Sequence, residues 1–474
     1  MKQPIRGSLL GACALSGLAL QGFVSAVHAG GFALVEHGAS GMGNAYAGAA
    51  AVAHDTSTIW FNPAGMSELS GRELGIGLHV IVTDTDWSDR GTSLNAAFDG
   101  APVPGPDSSE VGTTTPIPNL FYSAPIDERW SYGLAISAPF GSSTDYDEGW
   151  KGRYGSLESR ISVIDVNPAV SYRVSDTVRL GAGLSVQFAS AELTSAVDSS
   201  AACFGTVGSV EPVACVQSGL ADFGNPALDS RGEISGDSTA FSFNLGALFL
   251  PRPGTRIGLA YRHGAEHELE GDADFTTEDT LRGLLDGFGA ADGAPGPLSS
   301  FLTDTGGDVE LDLPATFMVS VAQTIGERVE LLGDITWTGW SSIEEIRVEY
   351  DNPLQPDTLS LQDWEDVFRY SAGINFSLNE RLTLRGGVAF DEEAIPSPAR
   401  RTPRIPGNDR TWLAFGAGYD IGDNITIDVG YAHLFLPDTA IDNDAAESPG
   451  STTIRGEYES GADILSAQFS WHFD

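Results

Sequence analysis

The chain has 474 residues, a net charge of −40 and a mean hydropathy of −0.06. Such acidity excludes a basic nucleic-acid footprint. No uncharged apolar run of roughly 18 residues follows the N-terminal region, which argues against transmembrane helices.

Residues 1–29 read as a signal peptide. Lys2 and Arg6 precede an uncharged apolar run from Gly7, and Val27-His28-Ala29 has the small-x-small form of a cleavage site. Leu10-Gly11-Ala12-Cys13 resembles a lipoprotein box, but the apolar run continues well past Cys13. Loss of the leader takes the charge from −40 to −42 and leaves Lys151 as the single lysine.

Residues 30–71 are small, apolar and poor in charge. Within them "IWFNPAGM" (Ile59 to Met66) places a turn at Asn62-Pro63 beside three large apolar side chains. Such a segment is ill suited to a solvated tail and is better placed inside the protein.

From about Arg72 onward, apolar residues alternate with Gly, Ser, Thr and Asn. Leu465, Ala467, Phe469, Trp471 and Phe473 share one face, and Ser466, Gln468, Ser470 and His472 the other. Period-2 alternation marks strands. Short turns are expected at "PIDERW", "RVSDTV", "LPRPGTR", "TIGERVE", "SLNERLT" and "DIGDNIT". Seven long acidic stretches separate them, near 84–117, 138–160, 192–237, 265–308, 339–364, 392–409 and 437–456. Strict alternation of short and long connections is the rhythm of an outer-membrane barrel. Thirteen connections give fourteen antiparallel strands over 72–474, with both termini periplasmic. A barrel that wide is not filled by its own side chains, so residues 30–71 are expected to be a hatch, or plug, in the lumen. Cys203 and Cys215 are expected to form a disulfide, as in other exported proteins. The eight histidines are scattered, so no metal or cofactor is expected.

The segment "GGFALVEHGASGMGNAYAG", followed by "NPA" at Asn62-Pro63-Ala64, resembles the FadL family of outer-membrane long-chain fatty acid transporters. So do "WKGRYG" (Trp150 to Gly155), "FRYSAGINFSLNERLTLRGGVAFDEEAIP" (Phe368 to Pro396) and "IPGNDRTWLAFGAGY" (Ile405 to Tyr419). The resemblance implies a fourteen-stranded barrel with a hatch. It implies passive uptake of a hydrophobic molecule through an internal pocket near the hatch N-terminus and out sideways into the bilayer beside a kinked third strand. Here the kink would be Pro139, Phe140 and Gly141, with Asn62-Pro63-Ala64 packed beside the gap; alternatively, Pro139 ends the strand at its external rim. Asp391 would contact the hatch. Gly30, Gly31 and Phe32 would line the pocket.

Basic side chains that hold a carboxylate in the family align with Ser195 and Ser360, which cannot do so. Arg369, Arg385 and Arg262 share the lumen parity and could substitute, or they could pair with Asp391, Asp334 or Asp428. The expected substrate is a long-chain fatty acid, with aromatic or aliphatic hydrocarbons as the alternative. The expected surroundings are outer-membrane lipid, lipopolysaccharide and the barrel assembly machinery, for a monomeric non-enzyme. A lipid-acting enzyme would need a nucleophile beside His433 or His472, and no such motif accompanies them. A general porin has no use for the hatch, and adhesion by the acidic loops stays open as a secondary role. The chain ends Phe473-Asp474, where assembly signals usually finish on the aromatic residue.

Overall fold

The computed structural model describes residues 31–94, 100–206, 212–217, 219–286, 298–444 and 452–473. The expected leader, Gly30 and Asp474 lie outside these residues. Fourteen strands form the wall: β1 (Arg72–Asp89), β2 (Thr114–Pro125), β3 (Trp130–Asp145), β4 (Glu158–Arg173), β5 (Val178–Asp198), β6 (Asp229–Arg252), β7 (Thr255–Arg262), β8 (Thr316–Ile325), β9 (Val329–Thr338), β10 (Val367–Ser377), β11 (Leu382–Asp391), β12 (Arg410–Ile421), β13 (Ile425–Phe435) and β14 (Thr452–Phe473). Each pairs antiparallel with the next, and β1 closes on β14 from Arg72↔Phe473 to Asp89↔Gly456. Closure removes sheet edges, which a bilayer does not tolerate.

The six short turns fall where the hairpin signals place them. Leu465, Phe469 and Trp471 face outward on β14 while Ser466, Gln468 and Ser470 are buried inward. Aromatic pairs such as Trp130–Tyr172 and Trp471–Phe473 gird the short-turn end.

The long connections differ from expectation. Strand structure continues through much of them, at 265–276, 305–313, 345–350, 358–361 and 439–444. Past Arg262 the outward positions become Glu266, Glu268 and Glu270, yet the backbone ladder goes on. There the alternation is inverted, with Leu269, Ala273, Leu311 and Leu313 buried on the inner face and acidic residues outward, so the outward apolar band is lost although the hydrogen bonds go on. Cys203 and Cys215 are joined in the connection from β5 to β6.

Residues 31–71 pack against the inner wall all round. Two short helices, Ala39–Met42 and Thr58–Phe61, and a 3₁₀ turn, Pro63–Glu68, are its only regular elements among the described residues. Hydrogen bonds tie Ala39 N to Gln468 Oε1 (3.0 Å), Ala50 N to Ser320 Oγ (3.0 Å) and Thr56 N to Glu73 Oε1 (3.1 Å). The close approach depends on inward-facing glycines. A Cβ at Gly258 would lie 1.9 Å from Ala50 O, one at Gly387 2.2 Å from Asn44 O, and one at Gly416 2.6 Å from Gly43 Cα. These are strand glycines that leave room for another backbone.

Gly258→Leu should therefore unseat the segment at a cost of about 1–3 kcal/mol. The barrel should still assemble, with a lower melting midpoint in detergent and faster protease cleavage within 31–71. Gly386→Ala is the control, since its nearest neighbour would be 3.9 Å away. Equal melting of the two variants would refute the seat.

Candidate functional site

The site is built where the wall ladder fails. β3 pairs with β2 only from Pro125↔Ser131 to Leu120↔Ile136. Beyond Ile136 it keeps β4 alone, and its register to β4 shifts between Ser137 and Phe140. Pro139 has no N–H to offer a ladder. The freed edge is taken by the chain's own N-terminal segment: Leu34 N donates to Pro139 O (2.8 Å), Gly141 N donates to Phe32 O (2.9 Å), and Ala33 bridges Phe140. On the other lip, Asn119 Nδ2 donates to Glu36 O (2.6 Å).

Behind this break lies a cavity of about 120 Å³ lined by Ala33, Trp60, Phe61, Phe140, Arg369 and Asp391, among others. Phe32 sits one layer away, in an aromatic cluster with Phe140, Trp340 and Trp364. Gly31 lies under Trp340, where a Cβ would come within 2.5 Å of the indole. Trp340 and Trp364 belong to stretches read from sequence as loop, and no pattern marked them.

The apolar residues around Asn62 divide by direction. Ile59 and Met66 pack with Phe121 and Ala135 on the wall. Trp60 lies under the Arg262 guanidinium at 3.4 Å, and Phe61 lies against the Tyr46 ring at 5.6 Å. Asn62 caps the 3₁₀ turn by accepting from Ala64 N (3.1 Å) and donates from Nδ2 to Ala50 O (2.6 Å) and Ala247 O (3.0 Å). The Asn62-Pro63-Ala64 turn is thus seated on β5 and β6, not beside the β3 break. Gly181 and Gly246 leave the space for it: a Cβ on either would come within 2.3 Å of the turn.

The charged groups are matched within the protein. Arg369, Asp391 and Arg410 stand side by side on β10, β11 and β12, in register. Arg369 also donates to Ala45 O (3.0 Å) and faces the Trp412 ring at 5.1 Å. The carbonyl it binds belongs to one of two adjacent non-glycine residues in the left-handed region, Ala45 (φ 55°) and Tyr46 (φ 57°), a strain held only where neighbours fix it. Arg262 lies 3.9 Å from Asp165 and donates to Trp60 O (3.1 Å). Arg385, expected in the pocket, lies elsewhere: it pairs with Asp428 at 2.6 Å in a separate polar cavity with His54 and Glu330. Of the cations singled out from the sequence, Arg369 and Arg262 line this cavity with Asp391, while Glu36 and Arg410 beside them had carried no signal. Ser195 and Ser360 both sit in rim strands. His433 pairs with Asp463 at 2.9 Å and His472 with Glu73 at 3.3 Å, with no hydroxyl or thiol among their partners in the described residues.

Burial pushes the Glu36 carboxyl up from 4.5 to about 7, with Arg410 and Arg369 limiting the rise. Because the folded value exceeds the unfolded one, stability is full below about pH 4.5 and is lost as pH rises toward 7. The loss reaches at most about 3 kcal/mol. Glu36→Gln should melt with the parent protein at pH 5 and above it at pH 8; parallel curves at both pH values would defeat this assignment.

The family model described as outer membrane protein transport protein (OMPP1/FadL/TodX) matches residues 22–473. The long-chain fatty acid transport protein of Escherichia coli O6:H1 is 25% identical over 451 residues, covering 94% of each chain. The crystal structure of a Pseudomonas aeruginosa FadL homologue superposes with a TM-score of 0.81 at 23% identity, over 94% of this chain and 100% of that one. The Pseudomonas putida toluene transporter TodX gives 0.64 at 19% identity, over 93% and 99%. With the fourteen-stranded wall and matches along nearly its whole length, the chain belongs to the OMPP1/FadL/TodX family of outer-membrane transport proteins.

Proposed function

We propose that the protein carries hydrophobic molecules passively across the outer membrane, through the internal cavity and out sideways between β2 and β3. The observation that carries this is the lost β2–β3 pairing beyond Ile136, with residues 32–34 bonded to the freed edge as a removable stopper. Unpaired backbone in a lipid-facing wall costs several kcal/mol per group, and it is tolerated where it lines a cavity. Lateral release also spares the solute the aqueous periplasm, at about 0.8 kcal/mol per CH₂. Residues 31–71 act as the hatch, anchored by Asn62-Pro63-Ala64, with Asp391 facing it. Both termini are periplasmic, and outer-membrane lipid, lipopolysaccharide and the assembly machinery are its surroundings.

The leading substrate is a long-chain fatty acid, after the relatives named for it. A hydrocarbon is the second reading, favoured by charge. Arg262, Arg369 and Arg410 face four carboxyls, those of Glu36, Asp165, Asp334 and Asp391. Each of these three guanidiniums thus already faces a carboxyl of the protein.

Deleting Asn62 to Ala64 should leave a heat-resistant barrel whose uptake falls to that of cells lacking the protein. Unchanged uptake would defeat the hatch. Arg369→Ala separates the substrates: a carboxylate contact is worth about 1.5–3 kcal/mol, so oleate affinity should fall about ten- to hundredfold while hexadecane binding stays. Equal affinities before and after the change would leave the hydrocarbon reading standing alone.

A further inference from the structure

The wall has a second break, on the other side of the cavity. β7 pairs with β6 up to Asn244↔Arg262. The next rim strand, 265–276, resumes pairing with β6 only at Asp237↔Glu270. Between these points Ser238 to Phe243 faces His263 to Leu269, six residues against seven, with no ladder register. The chain turns inward there: His267 Nε2 lies 3.3 Å from Gln187 Oε1 on β5, one strand beyond its sheet neighbour. The bend sits at His263-Gly264, opposite Pro314-Ala315, and a Cβ at Gly264 would lie 2.5 Å from Leu313 O.

What crosses the break is slight. His263 N donates to Phe243 O (2.9 Å), and Ser242 Oγ donates to His263 O (2.7 Å). On the lipid side the His263 ring stacks on Phe243 at 4.9 Å and meets Tyr261 OH at 3.0 Å. With its neighbour strand drawn inward, Phe241 is 76% exposed, more than any other large apolar side chain described. Behind the break, buried His267 Nδ1 and Asn244 Nδ2 have no hydrogen-bond partner among the described residues. The internal cavity is lined by Asn244, Arg262, His263 and Ala265 at the lower lip. An apolar groove on the outer face, with Trp130, Leu180 and Leu259, shares Leu245 and Tyr261 with that cavity. Cavity and groove therefore meet across the same two residues.

We propose that the β6–β7 break is a second lateral passage, joining the cavity to the membrane for uncharged apolar solutes, with the stacked His263 and Phe243 rings as its cover. It rests on the transport reading but not on the β2–β3 route. Six unladdered residues where the apolar wall ends, with Phe241 and Phe243 outward, are costly unless they serve a cavity. Ala240, Phe241 and Phe243 on the upper lip and Ala265 on the lower suit a solute without charge, while Glu266 and Glu268 point outward along the lower lip. Trp60 to Ala64 braces the lower lip from inside, through Arg262 and the Ala247 carbonyl.

The test is uptake of radiolabelled hexadecane by cells that lack their own homologue. Phe243→Cys with His263→Cys places two thiols where the rings now stack. Oxidised, this variant should lose part of its uptake, the remainder leaving between β2 and β3; reduced, it should regain the parental rate. The parent protein with reductant controls for Cys203–Cys215, and Phe249→Cys with Ile257→Cys, an already paired register, should transport in both redox states. Ala240→Trp, which fills the break without any disulfide, should lower uptake in the same way. Parental uptake by both the oxidised variant and Ala240→Trp overturns the passage. If the parent protein itself carries no hexadecane or oleate, the transport reading fails and the passage fails with it.

Discussion

Everything in this protein follows from one constraint: a backbone in hydrocarbon must find its hydrogen bonds within the protein. Fourteen strands meet it by closing on themselves from Arg72 to Phe473. Closure at that number leaves a lumen too wide for its side chains, and residues 31–71 occupy it. The wall adapts to them, carrying glycine where a backbone must approach, as at Gly258 under Ala50 and Gly387 under Asn44. The same constraint makes any failure of the ladder informative. Where β3 leaves β2, residues 32–34 supply the missing partners. A wall defect and the segment that answers it are one device.

The membrane part of the barrel was legible in the sequence because lipid outside and a polar lumen inside impose opposite demands on alternate residues. Leu465 and Ser466 differ for that reason. Beyond Arg262 the demand is reversed, with apolar residues inward and acidic ones outward, so 265–276 and 305–313 read as acidic loops although they are strands. The six tight turns were legible because turn chemistry is local. The site was less so. Asn62-Pro63-Ala64 and Asp391 were singled out only through resemblance, which set the turn beside the β3 break; Pro63 does share the cavity with Pro139 and Phe140, but the turn is seated on β5 and β6. Gly181 and Gly246 decide its seat, and their meaning depends on which strands are adjacent and on what lies within. Trp340, Trp364 and Glu36 carried no periodic signal. Gly264 and Pro314 were not singled out, since a breaker ending a strand and one bending it inward look alike in sequence.

The electrostatics of the lumen follow from burial as much as from sequence. A carboxyl such as Glu36, enclosed between the segment and the wall, is held only partly ionised near neutral pH. The guanidiniums nearby stack on Trp60 and Trp412 as well as facing carboxyls. Arginine suits both contacts, being planar and weakly hydrated. The lumen cations thus bind the hatch to the wall first. Any part they play toward a ligand would have to compete with that.

The apolar surface carried by the Asn62-Pro63 turn has a geometric reason. Ile59 and Met66 bury against β2 to β4, Asn62 and Pro63 sit on the glycines of β5 and β6, and Trp60 and Phe61 face the cavity. One short stretch therefore touches a continuous arc of the wall from β2 to β6. Trp60 holds Arg262, the last ladder partner before the β6–β7 break, while Ile59 holds Ala135, next to the last β2–β3 pair at Ile136. On the proposed transport route, a solute that pushes on Trp60 or Phe61 acts on an element braced against both weak seams. Loosening either seam would need no long-range relay through the barrel, because the brace and the cavity lining are the same residues.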